Sequence, residues 1–359
     1  LNGAYWGVYN IREHNDNNWI KTNYGLDKDE IDLLREGGST IEVKEGSDVS
    51  FWDMYNYATS QNASSQAYYD HINSVLDLKN YADYFIAETY YNNGDWIGEW
   101  TNNIKLWRPN APGSKWKYLL YDTDYGCGLK GSVNDNRLSM AINPVAFSHS
   151  SEMFDAILDN PTFKRYFINR YADLINTAYL PSNFNDEIDH FQDLTSFDMV
   201  NHFAKWGSNT STWQSNINSM KSFINARPDK ARDYIKSQFS LAAKVTLTLQ
   251  CSPAGSGRIE ISTITPTSLP WSGVYFNGNP VTITAIPNPG YTFDHFRSNV
   301  TISSNNFNQS VTYNFTANDV ITAYFTGSAA SPQVTISEFN YNADSAANSG
   351  DWIELWNYG

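Results

Sequence analysis

The spacing of hydrophobic residues changes near residue 240 of this 359-residue chain. Before that point, apolar and aromatic side chains recur every three or four residues, which predicts amphipathic helices. The clearest helix is predicted over residues 77–92, where Asp77 or Asn80 could cap the first turn. Further helices are predicted over residues 19–25, 48–58, 153–158, 161–175, 183–206, 212–227 and 229–239.

After residue 240 the pattern alternates with period two, as in the VTLTL run at residues 245–249, and Pro- and Gly-rich turns interrupt it. The sequence therefore predicts an α+β fold in three parts. The first is an α-rich domain at residues 1–240, the second is a small all-β module at 241–327, and the third is a linker with a partial β unit at 328–359. Strands are predicted over residues 245–249, 257–264, 281–286, 299–302, 311–315, 320–325, 333–339 and 351–356.

A few segments of the first part lack a helical pattern. Residues 1–11 alternate after an Asn-Gly turn and predict a hairpin. Residues 31–34 predict a short strand, residues 42–46 a polar turn, and residues 130–150 a loop. The aromatic and apolar run at residues 116–121 predicts a buried strand.

Acidic and amide side chains are concentrated around that last strand. Asp122 and Asp124 follow it directly, and an Asp-x-Asp at a strand end places both carboxylates on one face. Such a pair is a hard ligand set for Mg²⁺, Mn²⁺ or Ca²⁺, which an amide oxygen of Asn102 or Asn103 could complete. Asp95 lies upstream, and an acid combined with two metal-holding groups is also what phosphoryl transfer uses. The competing interpretation is a simple Asp- and Gly-rich turn.

Composition and charge indicate where the protein acts and which partners are disfavoured. Charged residues make up 17% of the chain and aromatic residues 15%, a balance that favours an extracellular or cell-surface protein. The net charge of −14 disfavours nucleic acid and anionic membranes as partners. No apolar run approaches the ~18 residues of a membrane-spanning helix, so no membrane insertion is expected. Cys127 and Cys251 lie in different predicted domains, and we expect no disulfide between them.

Three stretches of the first part resemble the spore-coat-protein-H (CotH) family of kinase-like proteins. The resemblance covers about residues 1–240, and its most specific feature is an Asp-Trp pair, an Asn pair and an Asp-x-Asp in that order. The stretches are Asn2–Tyr9 with Arg12-Glu13, then Asp83-Tyr84-Phe85 leading to Asp95-Trp96 and Asn102-Asn103, and then Tyr121–Gly126.

This resemblance implies an atypical protein kinase fold that transfers phosphate from ATP to Ser residues of extracellular or coat proteins with Mg²⁺ or Mn²⁺. It implies that Asp95 is the catalytic acid that orients the acceptor hydroxyl. It implies further that Asp122 holds the nucleotide-bound metal with help from Asp124 and Asn103, and that Glu13 belongs to the nucleotide site.

The rest of the nucleotide site is predicted less completely. The family's nucleotide lysine lies before the Asn-Gly strand with which this chain begins, so we expect the chain to be a piece of a longer polypeptide that lacks part of its N-lobe. Lys105, Arg12 and Arg108 could contact the phosphates, or they could be ordinary ion-pair partners on the surface.

The two later parts resemble modules of secreted bacterial proteins. Residues 245–325, with Gly290-Tyr291-Thr292-Phe293, resemble an internalin-type bacterial β repeat. Residues 333–359 resemble the first strands of a lamin-tail domain, an immunoglobulin-like sandwich. Together they imply a secreted or surface-anchored bacterial protein.

Two other functions remain open from the sequence. The aromatic residues could form stacking platforms of a surface module that binds a cell-surface glycan or a protein, although core packing is the usual role of such residues. The chain could also be an inactive kinase-like scaffold in which Asp122 and Asp124 bind structural Ca²⁺.

Overall fold

The computed structural model describes residues 3–329, 334–340 and 352–357, and it confirms the α+β fold class. The described residues fall into two compact units. The first holds the helical region and two short later segments, and the second holds most of the later strands. The first comprises residues 3–247, 273–281 and 313–318, and the second comprises residues 248–272, 282–312 and the described residues beyond 318.

Several helices of the first unit begin and end at residues that cap them. The Asp16 side chain accepts hydrogen bonds from the first turn of α1, and Gly25 ends this helix with a φ of 71°. Asp77 caps α4 in the same way, and Asn92 ends it in the left-handed region. The helices are α1 Asn17–Tyr24, α2 Val49–Ser60, α3 Gln66–Val75, α4 Leu78–Tyr91, α5 Arg137–Ile142, α6 His149–Leu158, α7 Pro161–Asn176, α8 Pro181–Trp206 and α9 Thr210–Gln238.

One antiparallel sheet supports the predicted site. Its strand order is β2-β1-β3-β4, and β1 and β3 pair so that Arg35 faces Lys105. The apolar side chains of the sheet pack with Ile20 of α1 in a buried cluster. The strands are β1 Ile31–Gly37, β2 Thr40–Glu45, β3 Ile104–Pro109 and β4 Lys117–Leu119.

The structure corrects several predictions in this region. Described residues before α1 form no hairpin; they run without regular structure and bond to α8 instead, where Val8 donates to His202 and Trp206 donates to Trp6. Residues 42–45 of the predicted turn at 42–46 belong to β2 instead, because β1 pairs with them. The predicted loop at 130–150 contains α5, which the Asn136 side chain caps.

The later strands form two sheets, with orders β10-β8-β6 and β7-β5-β11-β9. The strand predicted at 299–302 is wrong, because this segment turns around the Asp319 carboxylate, which accepts hydrogen bonds from the backbone of Val300 and Thr301. The strands are β5 Ala243–Ser252, β6 Gly257–Ile261, β7 Trp271–Asn277, β8 Val281–Pro287, β9 Tyr291–Ser298, β10 Ser310–Tyr313 and β11 Asp319–Gly327.

The last predicted strands are also present. β12 Val334–Asn340 pairs antiparallel with β13 Trp352–Asn357. Gln333 and Asp351, with which those two predictions began, lie outside the described residues. Across the described part of the chain, no helix has the length and apolar character that a membrane crossing requires.

Candidate active site

Asp95 lies just beyond α4 and is held by amides on two sides. Its backbone N–H donates to the Asn93 side chain at 3.1 Å. Its Oδ2 accepts hydrogen bonds from the side-chain nitrogens of Asn102 and Asn103, each at 3.2 Å. Asn103 also donates to the Asp95 carbonyl at 3.0 Å. The carboxylate is therefore fixed in orientation by neutral donors.

The backbone at Asn103 explains how two consecutive amides reach one acid. Successive side chains of an extended chain point to opposite sides. Asn103 has a φ of 55°, in the left-handed region that Asn adopts more readily than most residues. This departure from extended geometry, one residue before β3, accompanies the approach of both side chains to Asp95.

Asp122 and Asp124 form a second group of acids in the segment that follows β4. They do not lie on a strand face as predicted, because β4 ends at Leu119 and Asp122 has a φ of 56°. Their carboxyl groups are nevertheless close enough for Asp124 to affect the pKa of Asp122. Burial raises the pKa of Asp122, and the charges of Asp124 and Asp95 raise it further, while Arg12 lowers it. Asp122 thus lies within reach of the charges of two other acids, Asp124 and Asp95.

Such a set suits a divalent cation, because a bound cation removes the repulsion between carboxylates that would otherwise favour protonation. The fit is limited in one respect. Among the residues that the structure describes, no group of three or more His, Cys, Asp or Glu side chains is arranged as a metal site. The shell would need ligands besides Asp122 and Asp124. Asn103 uses its Nδ2 for the hydrogen bonds to Asp95, so its Oδ1 is the atom that could contribute, and this role stays a prediction.

Two cations lie close to these acids. Lys105 is only 9% exposed, donates to the Asn15 carbonyl at 2.8 Å and lies 4.5 Å from the centre of the Tyr121 ring. Burial lowers the pKa of Lys105, and Arg35 lowers it further. Arg35 donates to Asn102 Oδ1 at 3.2 Å and so links the cation pair to the amides that hold Asp95.

The other predicted contacts have different outcomes. Arg12 lies 3.7 Å from Asp122, both side chains being largely exposed. Arg108 donates to Asp32 at 2.8 Å and lies over Trp116, so it is an ion-pair partner, but of a buried acid and not on the surface. Glu13 is exposed in the irregular segment next to Arg12, and its place in a nucleotide site stays a prediction.

Sequence reasoning missed three residues that connect this site. Arg35 gave no signal, because only the β1–β3 register places it opposite Lys105. Asn93 and Glu88 are both fully buried, and Asn93 donates to Glu88 at 2.9 Å. The feature of the sequence that could have indicated Glu88 is its position as an acid on the apolar face of the predicted 77–92 helix.

A cavity of about 360 Å³ opens beside Asp95. Trp100, which is 66% exposed, and Tyr125 contribute aromatic surface to it. Lys130 lies 5.2 Å from the centre of the Tyr125 ring. The acid therefore faces a space that an exogenous molecule could enter.

Comparison with known families identifies the class of protein. The model of the CotH kinase protein family matches residues 1–230. That match covers more than half of the chain, which therefore belongs to this family of kinase-like proteins. A divergent InlB B-repeat domain matches residues 247–329, in the order that the sequence predicts. No curated protein gave a significant match.

Proposed function

We propose that this protein is a metal-dependent kinase that transfers the γ-phosphoryl group of ATP to Ser hydroxyls of an extracellular or coat protein. Membership of the CotH kinase family supports a kinase-like role. The observation that carries the proposal is the placement of Asp95, held by two amides, close enough to Asp122 for their charges to interact, with Asp124 also acting on Asp122. The modular order of the chain favours a secreted or surface-bound bacterial protein.

In the proposed reaction, the Ser oxygen attacks the γ-phosphorus and the bond to the β,γ-bridging oxygen breaks, releasing ADP. Asp95 orients the hydroxyl and accepts its proton. The two amide donors hold the Asp95 carboxyl group in one orientation. A divalent cation, Mg²⁺ or Mn²⁺, held by Asp122 and Asp124, would neutralise charge on the phosphates.

Arg35 and Lys105 are the proposed phosphate contacts. Like charges directly opposite each other on neighbouring strands destabilise a sheet. Arg35 and Lys105 occupy such positions, and Lys105 is buried as well. An anion bound near both would offset this cost, and the nucleotide phosphates are the anions that the proposed reaction supplies.

Substitution of Asp122 tests the proposal. Asp122→Ala should abolish Mn²⁺- or Mg²⁺-dependent ATP consumption, and Asp95→Asn should lower phosphoryl transfer about a hundredfold or more. The assay follows the loss of ATP and the label transferred from γ-labelled ATP, with EDTA-treated protein as the metal-free state. The exposed Asp186→Ala is the matched control and should keep full activity. ATP consumption that persists unchanged in Asp122→Ala would overturn the proposal.

A second candidate function, glycan binding, is favoured by the exposure of Trp100 beside the cavity. Aromatic faces of this kind can stack on sugar rings. Binding to a glycan array that survives EDTA and is lost in Trp100→Ala would support it. A thermal-shift titration with ATP in the presence of Mn²⁺, compared with Mn²⁺ alone, separates the two functions, because only a nucleotide-binding protein gains further stability from ATP.

A further inference from the structure

Glu88 is a buried acid behind the proposed site that the proposed mechanism does not use. It lies in the last turn of α4 with no exposed surface. Its Oε2 accepts a hydrogen bond from the Asn93 side chain at 2.9 Å, whereas its Oε1 has no hydrogen-bond partner among the described residues. Burial of an incompletely bonded carboxyl group costs free energy. An acid at this position is therefore a candidate for a specific role.

Helix termination does not supply that role. Asn92 and Asn93 both donate their backbone N–H groups to the Glu88 carbonyl, so the backbone alone closes the last turn. The side-chain contact that the carboxyl group adds is the one with Asn93. Any effect of the Glu88 carboxyl group on the site is therefore transmitted through its hydrogen bond with Asn93.

Asn93 connects the two halves of the site. Its Oδ1 accepts the backbone N–H of Asp95 at 3.1 Å, and its Nδ2 lies 3.4 Å from the carbonyl oxygen of Asp122. A carboxamide has one donor end and one acceptor end, and the two could exchange by a half-turn. An acceptor at Glu88 fixes the donor end toward Glu88 and Asp122, which leaves the acceptor end for Asp95.

We propose that Glu88 is a positioning residue that acts through Asn93 to hold Asp95 and Asp122 at a fixed separation. This inference rests on the proposed function, because the separation matters only if the two acids serve one reaction. Displacement of a reacting group by about 1 Å can cost about a hundredfold in rate. The effect should therefore appear in kcat rather than in nucleotide affinity.

The choice of substitutions follows from the hydrogen-bond chemistry. Glu88→Gln keeps an acceptor oxygen for Asn93, whereas Glu88→Leu removes it at similar size. Asn93→Ala breaks the same connection from the other side and keeps the inference testable if Glu88→Leu does not fold. Glu36→Gln is the matched control, since Glu36 is the same residue type, equally buried, and bonded instead to Ser148 and Ser150.

The experiment measures Mn²⁺–ATP turnover and amide hydrogen exchange at Asp95 in these variants. Glu88→Leu and Asn93→Ala should lower kcat about tenfold or more while KM for ATP changes less than about threefold. Exchange at the Asp95 amide should become about tenfold faster in both. Glu88→Gln and Glu36→Gln should stay within about threefold of the parent protein in both measurements.

Two results would overturn the inference. One is unchanged Asp95 exchange in Glu88→Leu and Asn93→Ala. The other is a loss of kcat in Glu88→Gln as large as in Glu88→Leu, because an acceptor for Asn93 would then not suffice. If the parent protein turns over no ATP, the proposed function fails separately, and hydrogen exchange still decides whether Glu88 positions Asp95.

Discussion

At the scale of single residues, Glu88 is held where its ionisation is disfavoured. Burial raises the pKa of Glu88 from 4.5 to about 8. The hydrogen bond from Asn93 and the charge of Arg137 lower this pKa but do not offset the effect of burial. The folded-state pKa thus lies above the unfolded one. The stability that the protonated carboxyl contributes is complete below about pH 4.5 and is lost as the pH rises through 8.

Glu88→Gln should remove this pH dependence, because glutamine does not titrate. Each pKa unit corresponds to about 1.4 kcal/mol, so the free energy of unfolding of the variant relative to the parent should rise by a few kcal/mol between pH 5 and pH 8. Urea unfolding of both proteins at several pH values measures the difference and cancels the contributions of other groups. Parallel profiles for the two proteins would contradict the expectation.

The same residues show how far sequence could predict the site. Asp95, Asn102, Asn103, Asp122 and Asp124 were singled out by type and order, and the structure brings Asp95 and the two amides into contact. The charge interaction of Asp122 with Asp95 also depends on tertiary structure. The sequence could not predict which other side chains lie next to these residues. The Arg35–Lys105 pairing depends on strand register across 70 positions (105 − 35), which local patterns do not encode.

At the scale of elements, α9 is tied to the end of α4 by Arg227. This side chain is 1% exposed and donates to the carbonyls of Thr89 and Tyr90 in the last turn of α4. It also donates to the carbonyls of Val133 and Asp135, next to the cavity beside Asp95. A cation at a helix C-terminus is favourable, and here it satisfies carbonyls of two elements at once.

Arg227→Ala should lower the free energy of unfolding by about 3 kcal/mol, because several buried carbonyls lose a charged donor. Urea denaturation followed by circular dichroism measures the change. The exposed Arg165→Ala is the matched control and should differ from the parent by less than about 0.5 kcal/mol. A loss for Arg227→Ala no larger than for Arg165→Ala would show that the carbonyls find other donors.

The elements that sequence predicted well are those with strong local signals. α1, α4 and α7 each have a side-chain cap and a regular apolar face, and their predicted ranges match closely. The segment before α1 has strand-like alternation, yet it bonds to α8 through Tyr5, Val8 and Trp6. Here tertiary partners decide the conformation, since a strand without a neighbour leaves its backbone groups unpaired.

At the scale of the whole molecule, the compact units do not follow the limits of the family matches. The B-repeat match spans residues 247–329, but residues 273–281 and 313–318 cluster with the kinase-like region. Within that unit, Tyr275 donates to the Asp173 carboxylate of α7 at 2.6 Å, and both residues are fully buried. Asn176 exchanges two hydrogen bonds with the backbone of Val274, each at 3.0 Å.

These contacts predict that the kinase-like region draws stability from residues well beyond 240. Tyr275→Phe removes only the hydroxyl that donates to Asp173. The buried Asp173 side chain then loses a hydrogen-bond donor, which should lower the free energy of unfolding by about 2 kcal/mol. Tyr291→Phe, in β9 of the second unit, is the matched control and should leave the transition of the first unit unchanged.

Calorimetry of the full chain measures the effect, with tryptophan fluorescence as a second probe of the first unit. We expect the midpoint of that unit to fall in Tyr275→Phe and to stay in place in Tyr291→Phe. Equal midpoints in both variants would mean that the Tyr275–Asp173 bond adds no net stability. The first folding unit would then end near residue 240, as the sequence predicts, and would not include residues 273–281 and 313–318.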